Sequence, residues 1–383
     1  MAREKMETRK LTGAIRVACK YDDGTTRYWD TPKEEVVAHI IDVVNEYSAE
    51  GYTLTLRQLH YQLVTQNWIV NHDTAYKKLG GILDDCRYGG VIDWNAIEDR
   101  GRVPYIPYSV KDVPDALQDT IDQYRIDRQR GQINHVELWT EKDALSGILK
   151  RTTQKYHIRL VVNKGYTSSS ALYGAYKRCV QEITAGKKVT ILYFGDHDPS
   201  GLDMIRDIRE RLLLFLCNGT GLSCGDYFHD NIQTWWDEEQ YTIHDLVDND
   251  YMDALAAQRM LDGEARDNED DLFEQGKIRM YLAEKELFTV LPIGLTMKQI
   301  TQYKLPPNPT KLTDTRSGKY VAKFGKTCWE VDALKPQVLT AIVEKNIKEQ
   351  IDMDVFAETV EAEAADIEKL QAIVDNLSED DKD

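Results

Sequence analysis

From Val189 to Leu212 the chain reads VTILYFGDHDPSGLDMIRDIRERL, and the spacing of its apolar residues changes in the middle. Val189 to Phe194 are an unbroken β-branched and apolar run, the pattern of a strand buried on both faces. Gly195, Asp196, His197, Asp198, Pro199 and Gly201 interrupt it with turn residues, and an amphipathic helix is predicted from near Leu202. The same rhythm runs upstream. HVELWT (135–140) predicts a strand, followed at once by Glu141, Lys142 and Asp143 and a helix to about Tyr156. IRLVVN (158–163) predicts another strand, and the polar turn GYTSSS caps a helix carrying Tyr173, Tyr176 and Val180. This strand–helix–strand–helix–strand order predicts a parallel sheet with right-handed crossovers.

The N-terminal third follows another pattern. Residues 13–30 predict a hairpin turning at Asp23 and Gly24. Thr31 reads as the cap of a helix with Pro32 at its first position. That helix runs to about Ser48, with Val36, Val37, Ile40, Ile41 and Val44 on one face. In YTLTLRQLHYQLV, Thr55 and Gln58 have the spacing of a capping box. Leu56, Leu59 and Leu63 share one helical face; Arg57 and Tyr61 share another and are expected to point outward together. A second helix is predicted from about Thr74 to Tyr88, with Ala75, Leu79, Ile82, Leu83 and Cys86 inward and Lys77, Lys78 and Arg87 outward. Gly89 and Gly90 end it, and VIDW reads as a short strand. Helix, loop, helix, short strand is the order of a winged helix-turn-helix, a DNA-binding module.

Pro104, Pro107 and Pro114, then the polar helical run DALQDTIDQYRIDRQRGQ, mark a connection between domains. Residues 226–276, acidic and helical with Trp235 and Trp236, read as an insertion or outer layer. FTVLPIGL returns to a strand, a Pro-rich loop follows, and CWEVDALKPQVLTAIVEKNI supplies a last helical element. Beyond Ile351, Ile367, Leu370, Val374 and Leu377 recur at heptad-like spacing, which suits a docking helix and a frayed acidic tail equally.

The 383 residues suffice for two or three domains. No apolar run approaches membrane-spanning length, and MAREKMETRK precedes no apolar segment, so neither a membrane span nor a secretory signal is expected. The six cysteines form no C-x-x-C pair, which argues against structural zinc and for free thiols in a cytoplasmic protein. The formal charge of −17 argues against a nonspecific nucleic-acid binder. The excess is uneven, however, and much of it lies between Asp352 and Asp383.

Asp196 and Asp198 fall just past the carboxyl end of a strand, where open α/β sheets place their chemistry. Glu141 stands at the end of another strand on the same edge, so the three carboxylates can converge. Such a group repels itself, and the economical reason to build it is a divalent cation, most often magnesium. Plainer readings exist for each residue. The aspartates can cap the following helix, and Glu141 can sit at a helix N-terminus favoured by the dipole. Tyr61 can be a half-buried surface tyrosine, and the lysines a solvated face. His197 suits either an acid–base group or a side chain turned into the opposite layer.

WTEKDAL with Glu141, and GDHDPSG with Asp196 and Asp198, resemble the glutamate and D-x-D-x-x-G of the Toprim domain. With Pro199, the second motif is similar to that of the topoisomerase VI A subunit and its meiotic double-strand-break relative. TLRQLHY resembles that family's T-[LI]-R-[DQ]-x-[FY]-Y, and WEVDAL its carboxy-terminal E-[IL]-[ED]-A-L. The motifs cover roughly residues 53–345, and the chain also resembles stand-alone A-subunit-like proteins of phages and prophages. Two departures stand out. His60 replaces a usual aromatic residue, and the family's G-x-P-D turn is here Gly165, Tyr166, Thr167, Ser168.

The resemblance implies an α/β fold with an N-terminal winged helix-turn-helix domain followed by a Toprim domain whose mainly parallel sheet is flanked by helices. The expected boundaries are a hairpin arm (1–30), the winged helix (31–102), a linker (103–134), the Toprim domain (135–350, insertion about 226–276) and an acidic tail (351–383). It also implies that Tyr61 is the catalytic tyrosine and Arg57 its companion, and that Glu141, Asp196 and Asp198 hold Mg2+. Lys77, Lys78, Arg87 and Lys142 are the expected contacts to double-stranded DNA. The activity implied is type IIB-like topoisomerase cleavage by a homodimer, in which the tyrosine of one protomer meets the metal site of the other and forms a 5′-phosphotyrosyl intermediate. No G-x-x-x-x-G-K-[ST] occurs in the chain, so an ATPase subunit, if used, is a separate partner. The expected setting is the cytoplasm or nucleoid. Two alternatives stand beside this: a hydrolytic Toprim nuclease, and a non-catalytic DNA-binding protein.

Overall fold

The computed structural model describes residues 14–20, 26–98, 107–218, 224–264, 266, 269–310 and 315–380, with side chains from 33 to 217 and from 231 to 375 where described. β1 (Ala14–Lys20) and β2 (Thr26–Pro32) pair antiparallel, as the hairpin pattern predicts; its turn at Asp23 and Gly24 lies outside the described residues. Pro32 is the last residue of β2 rather than the first of the helix, and α1 begins one residue later (Lys33–Ala49). α2 (Leu56–Thr65) starts at the expected capping box, and α3 (Asp73–Tyr88) buries Ala75, Leu79, Ile82, Leu83 and Cys86 as expected. Val36, Val37, Ile40, Leu59, Leu63, Leu79 and Ile82 join the helices in one apolar core.

VIDW is not a strand. Asp93 accepts a hydrogen bond from Asn95 N at 2.8 Å and turns the chain into a 3-10 turn over Trp94–Ala96. A parallel bridge between Leu54 and Ile97 is the remaining β contact in this unit among the described residues. The linker helix α4 (Val113–Gln123) is also shorter than the polar run suggested, ending at Tyr124.

The sheet unit begins with β3 (Asn134–Thr140), α5 (Ser146–Tyr156), β4 (Arg159–Val162), α6 (Ser169–Thr184), β5 (Lys188–Phe194) and α7 (Pro199–Asn218). After α8 (Cys224–Glu238), α9 (Ile243–Asp248), α10 (Ala254–Leu261) and α11 (Glu269–Glu284), β6 (Phe288–Gly294) completes a four-stranded sheet of order β4-β3-β5-β6. All three pairings are parallel, so the chain is α/β with a parallel sheet. Strand alternation feeds two cores. Trp139, Ile191 and Tyr193 face α6–α11, whereas Leu138, Leu192 and Phe194 face α5 and the C-terminal helices. Trp235 and Trp236 are buried in the first core, so residues 226–276 complete the packing of one sheet face as well as covering it.

α12 (Met297–Gln302), β7 (Asn308–Pro309), α13 (Ser317–Phe324), β8 (Thr327–Cys328), α14 (Pro336–Lys348) and α15 (Met353–Asp380) finish the chain. α15 docks on the linker. Arg128 Nη2 donates to Glu363 Oε1 at 2.7 Å, Ile126 N to Glu363 Oε2 at 2.7 Å, and Tyr124 Oη to Asp366 at 3.0 Å. Among the described residues, no helix is long and apolar enough to cross a membrane.

Candidate active site

β3 and β5 are parallel neighbours with Thr140 opposite Phe194, so the chain leaves both at the same edge of the sheet. This brings Glu141 and Asp196 together, as the pattern of strands required. The turn after β5 is tight: a Cβ on Gly201 would lie 2.4 Å from the Asp196 carbonyl oxygen, so the sixth residue of D-x-D-P-x-G must be glycine. Asp198 is half-buried and its Oδ1 accepts from Gly201 N at 2.6 Å, the capping role of the plainer reading. It remains close enough to Glu141 for its charge to raise the Glu141 pKa.

Lys142 corrects its expected role as a free DNA contact. It is buried, and its ammonium lies 2.5 Å from Asp196 Oδ2 and 3.4 Å from both Glu330 Oε2 and Asp332 Oδ2. The reason is that the residue after Glu141 turns inward at the sheet edge, where buried carboxylates require a cation. Burial disfavours the Lys142 charge, but Asp196 and Asp332 outweigh it and raise its pKa. Burial pushes Asp196 well above the usual carboxylate range, with Glu141 adding to the effect and Lys142 opposing it. Burial is the chief cause that raises Glu141, and Asp198 adds to it, while Lys142 and hydrogen bonding with Asp196 oppose it.

Glu330 and Asp332 had no assigned role in the sequence reading. They flank fully buried Val331, whose N donates to Asp196 Oδ1 at 2.8 Å. The acid–Val–acid spacing in WEVDAL is the signal that could have found them. Asp332 is fully buried, with Arg57 Nε at 3.3 Å and Lys142 Nζ at 3.4 Å. Arg57 Nη2 also reaches Glu330 Oε2 at 3.1 Å.

Tyr61 is brought to this cluster, but it does not point into solvent. It is 9% exposed, because the 330–334 segment covers the second face of α2 and Gln62 Nε2 donates to Leu334 O at 3.3 Å. The Arg57 guanidinium lies 5.7 Å from the Tyr61 ring centroid. Glu330 lines the same cleft as Tyr61, near enough for its carboxylate to act on the phenol. Burial raises the phenol pKa and Glu330 raises it further, while Arg57 and Lys142 oppose. A cleft of about 550 Å3 is lined by Arg57, His60, Tyr61, Asp198, Ser200 and Glu330, among others.

Other expected residues lie elsewhere. Lys77 and Lys78 are exposed on α3. Arg87 is half-buried, donating to Trp94 O at 3.0 Å and lying 4.3 Å from the Trp94 ring centroid, so it closes its own turn rather than facing outward. His197 is buried, with Nδ1 2.8 Å from Tyr320 Oη.

The chain matches no family model, no curated protein and no solved structure. Among the described residues, no group of three or more His, Cys, Asp or Glu side chains stands ready to hold a metal ion. Glu141 and Asp196 hydrogen-bond with one another, and Lys142 supplies the positive charge beside them. For Glu141, Asp196 and Asp198 to take magnesium, the ammonium must leave Asp196 and Asp198 must turn from Gly201 N.

Proposed function

We propose that this protein is a metal-dependent DNA-cleaving transesterase of the type IIB topoisomerase A-subunit kind, acting on duplex DNA as a homodimer. The reading takes α1–α3 as a winged helix-turn-helix reduced to a single bridge in place of its wing strand, and the sheet unit as a Toprim domain. The observation that carries it is that Arg57 and Tyr61, neighbours on α2, line one cleft with Asp198, which is distant in sequence.

In this reading Tyr61 is the nucleophile. Its oxygen attacks a phosphorus atom of the backbone, the bond to the 3′ oxygen breaks, and a 5′-phosphotyrosyl end remains. Arg57 stabilises the negative charge that develops on phosphorane and phenolic oxygens. Glu141, Asp196 and Asp198 would hold magnesium, which when bound offsets phosphate charge. Lys77 and Lys78, exposed on α3, supply backbone contacts to DNA. An ATP-driven partner, if one is used, is a separate chain.

A hydrolytic nuclease is the second reading, favoured by the burial of Tyr61 and its raised pKa, which keep the phenol protonated. One experiment separates them. Purified protein is incubated with supercoiled plasmid and magnesium, and products are run with and without detergent and protease. Breaks revealed by detergent, with protein on 5′ ends and lost in Tyr61→Phe and Asp196→Ala, are expected. Free ends that persist in Tyr61→Phe establish hydrolysis. Binding without breaks, unchanged in Asp196→Ala, leaves a DNA-binding protein.

A further inference from the structure

Resting on the transesterase reading, we propose that Glu330 is the general base of the cleavage step, accepting the Tyr61 proton as the phenolic oxygen attacks phosphorus. Three observations converge on it. Glu330 and Tyr61 line the same cleft, and both stand against Arg57, whose Nη2 lies 3.1 Å from Glu330 Oε2 and whose guanidinium lies 5.7 Å from the Tyr61 ring centroid. Arg57 Nη2 at 3.1 Å and Lys142 Nζ at 3.4 Å, both on Oε2, hold the carboxylate ionised. The segment carrying it is pinned at both sides. Trp329 and His197 exchange backbone hydrogen bonds of 3.0 and 3.1 Å, and Val331 N is tied to Asp196.

The other candidate bases around Tyr61 are less suited. Asp198 Oδ1 is committed to Gly201 N. His60 sits edge-on to the rings of both Tyr61 and Tyr76, at centroid distances of 5.4 Å, and burial pushes its pKa down to about 4. Glu330 combines an ionised acceptor with a side chain that is still 24% exposed, so it can pass the proton on to water.

The step balances. The Tyr61 O–H bond breaks and its proton passes to Glu330; the oxygen–phosphorus bond forms; the phosphorus–O3′ bond breaks and the 3′ oxygen takes a proton from water. Religation returns the Glu330 proton to the phenol. A carboxylate is a weak base toward a phenol, so the proton moves late, as it does to the aspartate that accepts a substrate hydroxyl proton in protein kinases.

The test compares wild type, Tyr61→Phe, Glu330→Gln and Glu330→Asp on an end-labelled duplex with magnesium. Initial rates of detergent-trapped covalent complex are taken from about pH 6 to about pH 10, spanning the phenol range. Glu330→Gln is expected to form the same product at least about 100-fold more slowly near neutral pH, with a rate that climbs with pH as the phenol ionises unaided. Glu330→Asp retains a measurable part of the rate, and DNA affinity is unchanged in both. A Glu330→Gln rate near wild type with the same pH profile overturns the assignment, and a faster rate shows that Glu330 restrains Tyr61 instead. If wild type yields free ends, or Tyr61→Phe cuts equally well, the transesterase reading fails and the base role falls with it. A second measurement needs no cleavage: fluorotyrosine placed at position 61 is titrated by fluorine NMR. Its midpoint is expected to fall in Glu330→Gln. No movement removes the Tyr61–Glu330 pair even where covalent ends are found.

Discussion

The ammonium of Lys142 lies 2.5 Å from Oδ2 of Asp196, both side chains being about nine-tenths buried or more. The pair joins the ends of β3 and β5 and, through Glu330 and Asp332, reaches Arg57 on α2. A buried pair is weak evidence for net stabilisation, but removing one partner leaves an uncompensated charge. Lys142→Met is therefore expected to lose about 3–5 kcal/mol near neutral pH, measured by urea unfolding. Magnesium should raise the melting temperature of this variant more than that of wild type, because the ammonium no longer competes for Asp196. An equal response in both proteins contradicts the proposed competition.

Glu137 gives a separate pH signature. It is 3% exposed and accepts from Arg178 Nε at 2.6 Å, Arg159 Nη1 at 3.1 Å and Trp139 Nε1 at 2.9 Å. Burial works to raise its pKa, but the bonds and charge of Arg178 and the bond from Trp139 prevail and hold it well below its ordinary 4.5. A depressed carboxylate contributes stability that is present above the unfolded value and lost as pH falls toward the folded one. The cost of Glu137→Gln should thus be greatest near neutral pH and shrink below about pH 5, as read by unfolding at each pH. A cost independent of pH refutes this.

His60 acts over a different range. Burial pushes its pKa down to about 4 from 6.5. The unfolded chain takes up a proton that the folded one refuses, so this group removes stability as pH falls from 6.5 toward 4. His60→Phe should flatten the stability profile across that window; an unchanged slope would show that His60 does not titrate there.

Gly201→Ala brings a methyl group within 2.4 Å of a backbone oxygen that cannot retreat without moving Asp196. A loss of about 1–3 kcal/mol is expected, with cleavage reduced more than DNA binding. Wild-type melting and cleavage together would show that the turn has slack.

Arg128 and Glu363, paired at 2.7 Å with both side chains 8% exposed, hold α15 on the linker. Glu363→Gln should lower hydrogen-exchange protection over 353–375 and around Ile126, while β3 and β5 stay protected. Unchanged protection would mean that apolar contacts alone hold the helix.

Much of the arrangement was legible along the chain. Periodicity marked β3, β4, β5 and β6, the inward face of α3 and the capping box at Thr55, because these depend on neighbours a few residues apart. Glu141 and Asp196 at one edge followed from strand order alone. VIDW was misread because Asp93 can bond its own turn, which a β-rich composition does not reveal. The tail was ambiguous because its spacing suits docking only if a partner face exists, and α4 with Arg128 supplied one.

What the sequence by itself determined is the parallel α/β sheet, the turn that needs Gly201 and the acids at its edge, since local pattern and backbone geometry leave few alternatives. The tertiary structure alone decided that Lys142 turns inward, that Tyr61 is covered, and that Glu330 and Asp332 join Arg57 to the sheet edge. Those outcomes depend on paired charges 54 to 275 residues apart in the chain sharing one buried volume, where each must find a counter-charge, and no local pattern encodes that requirement.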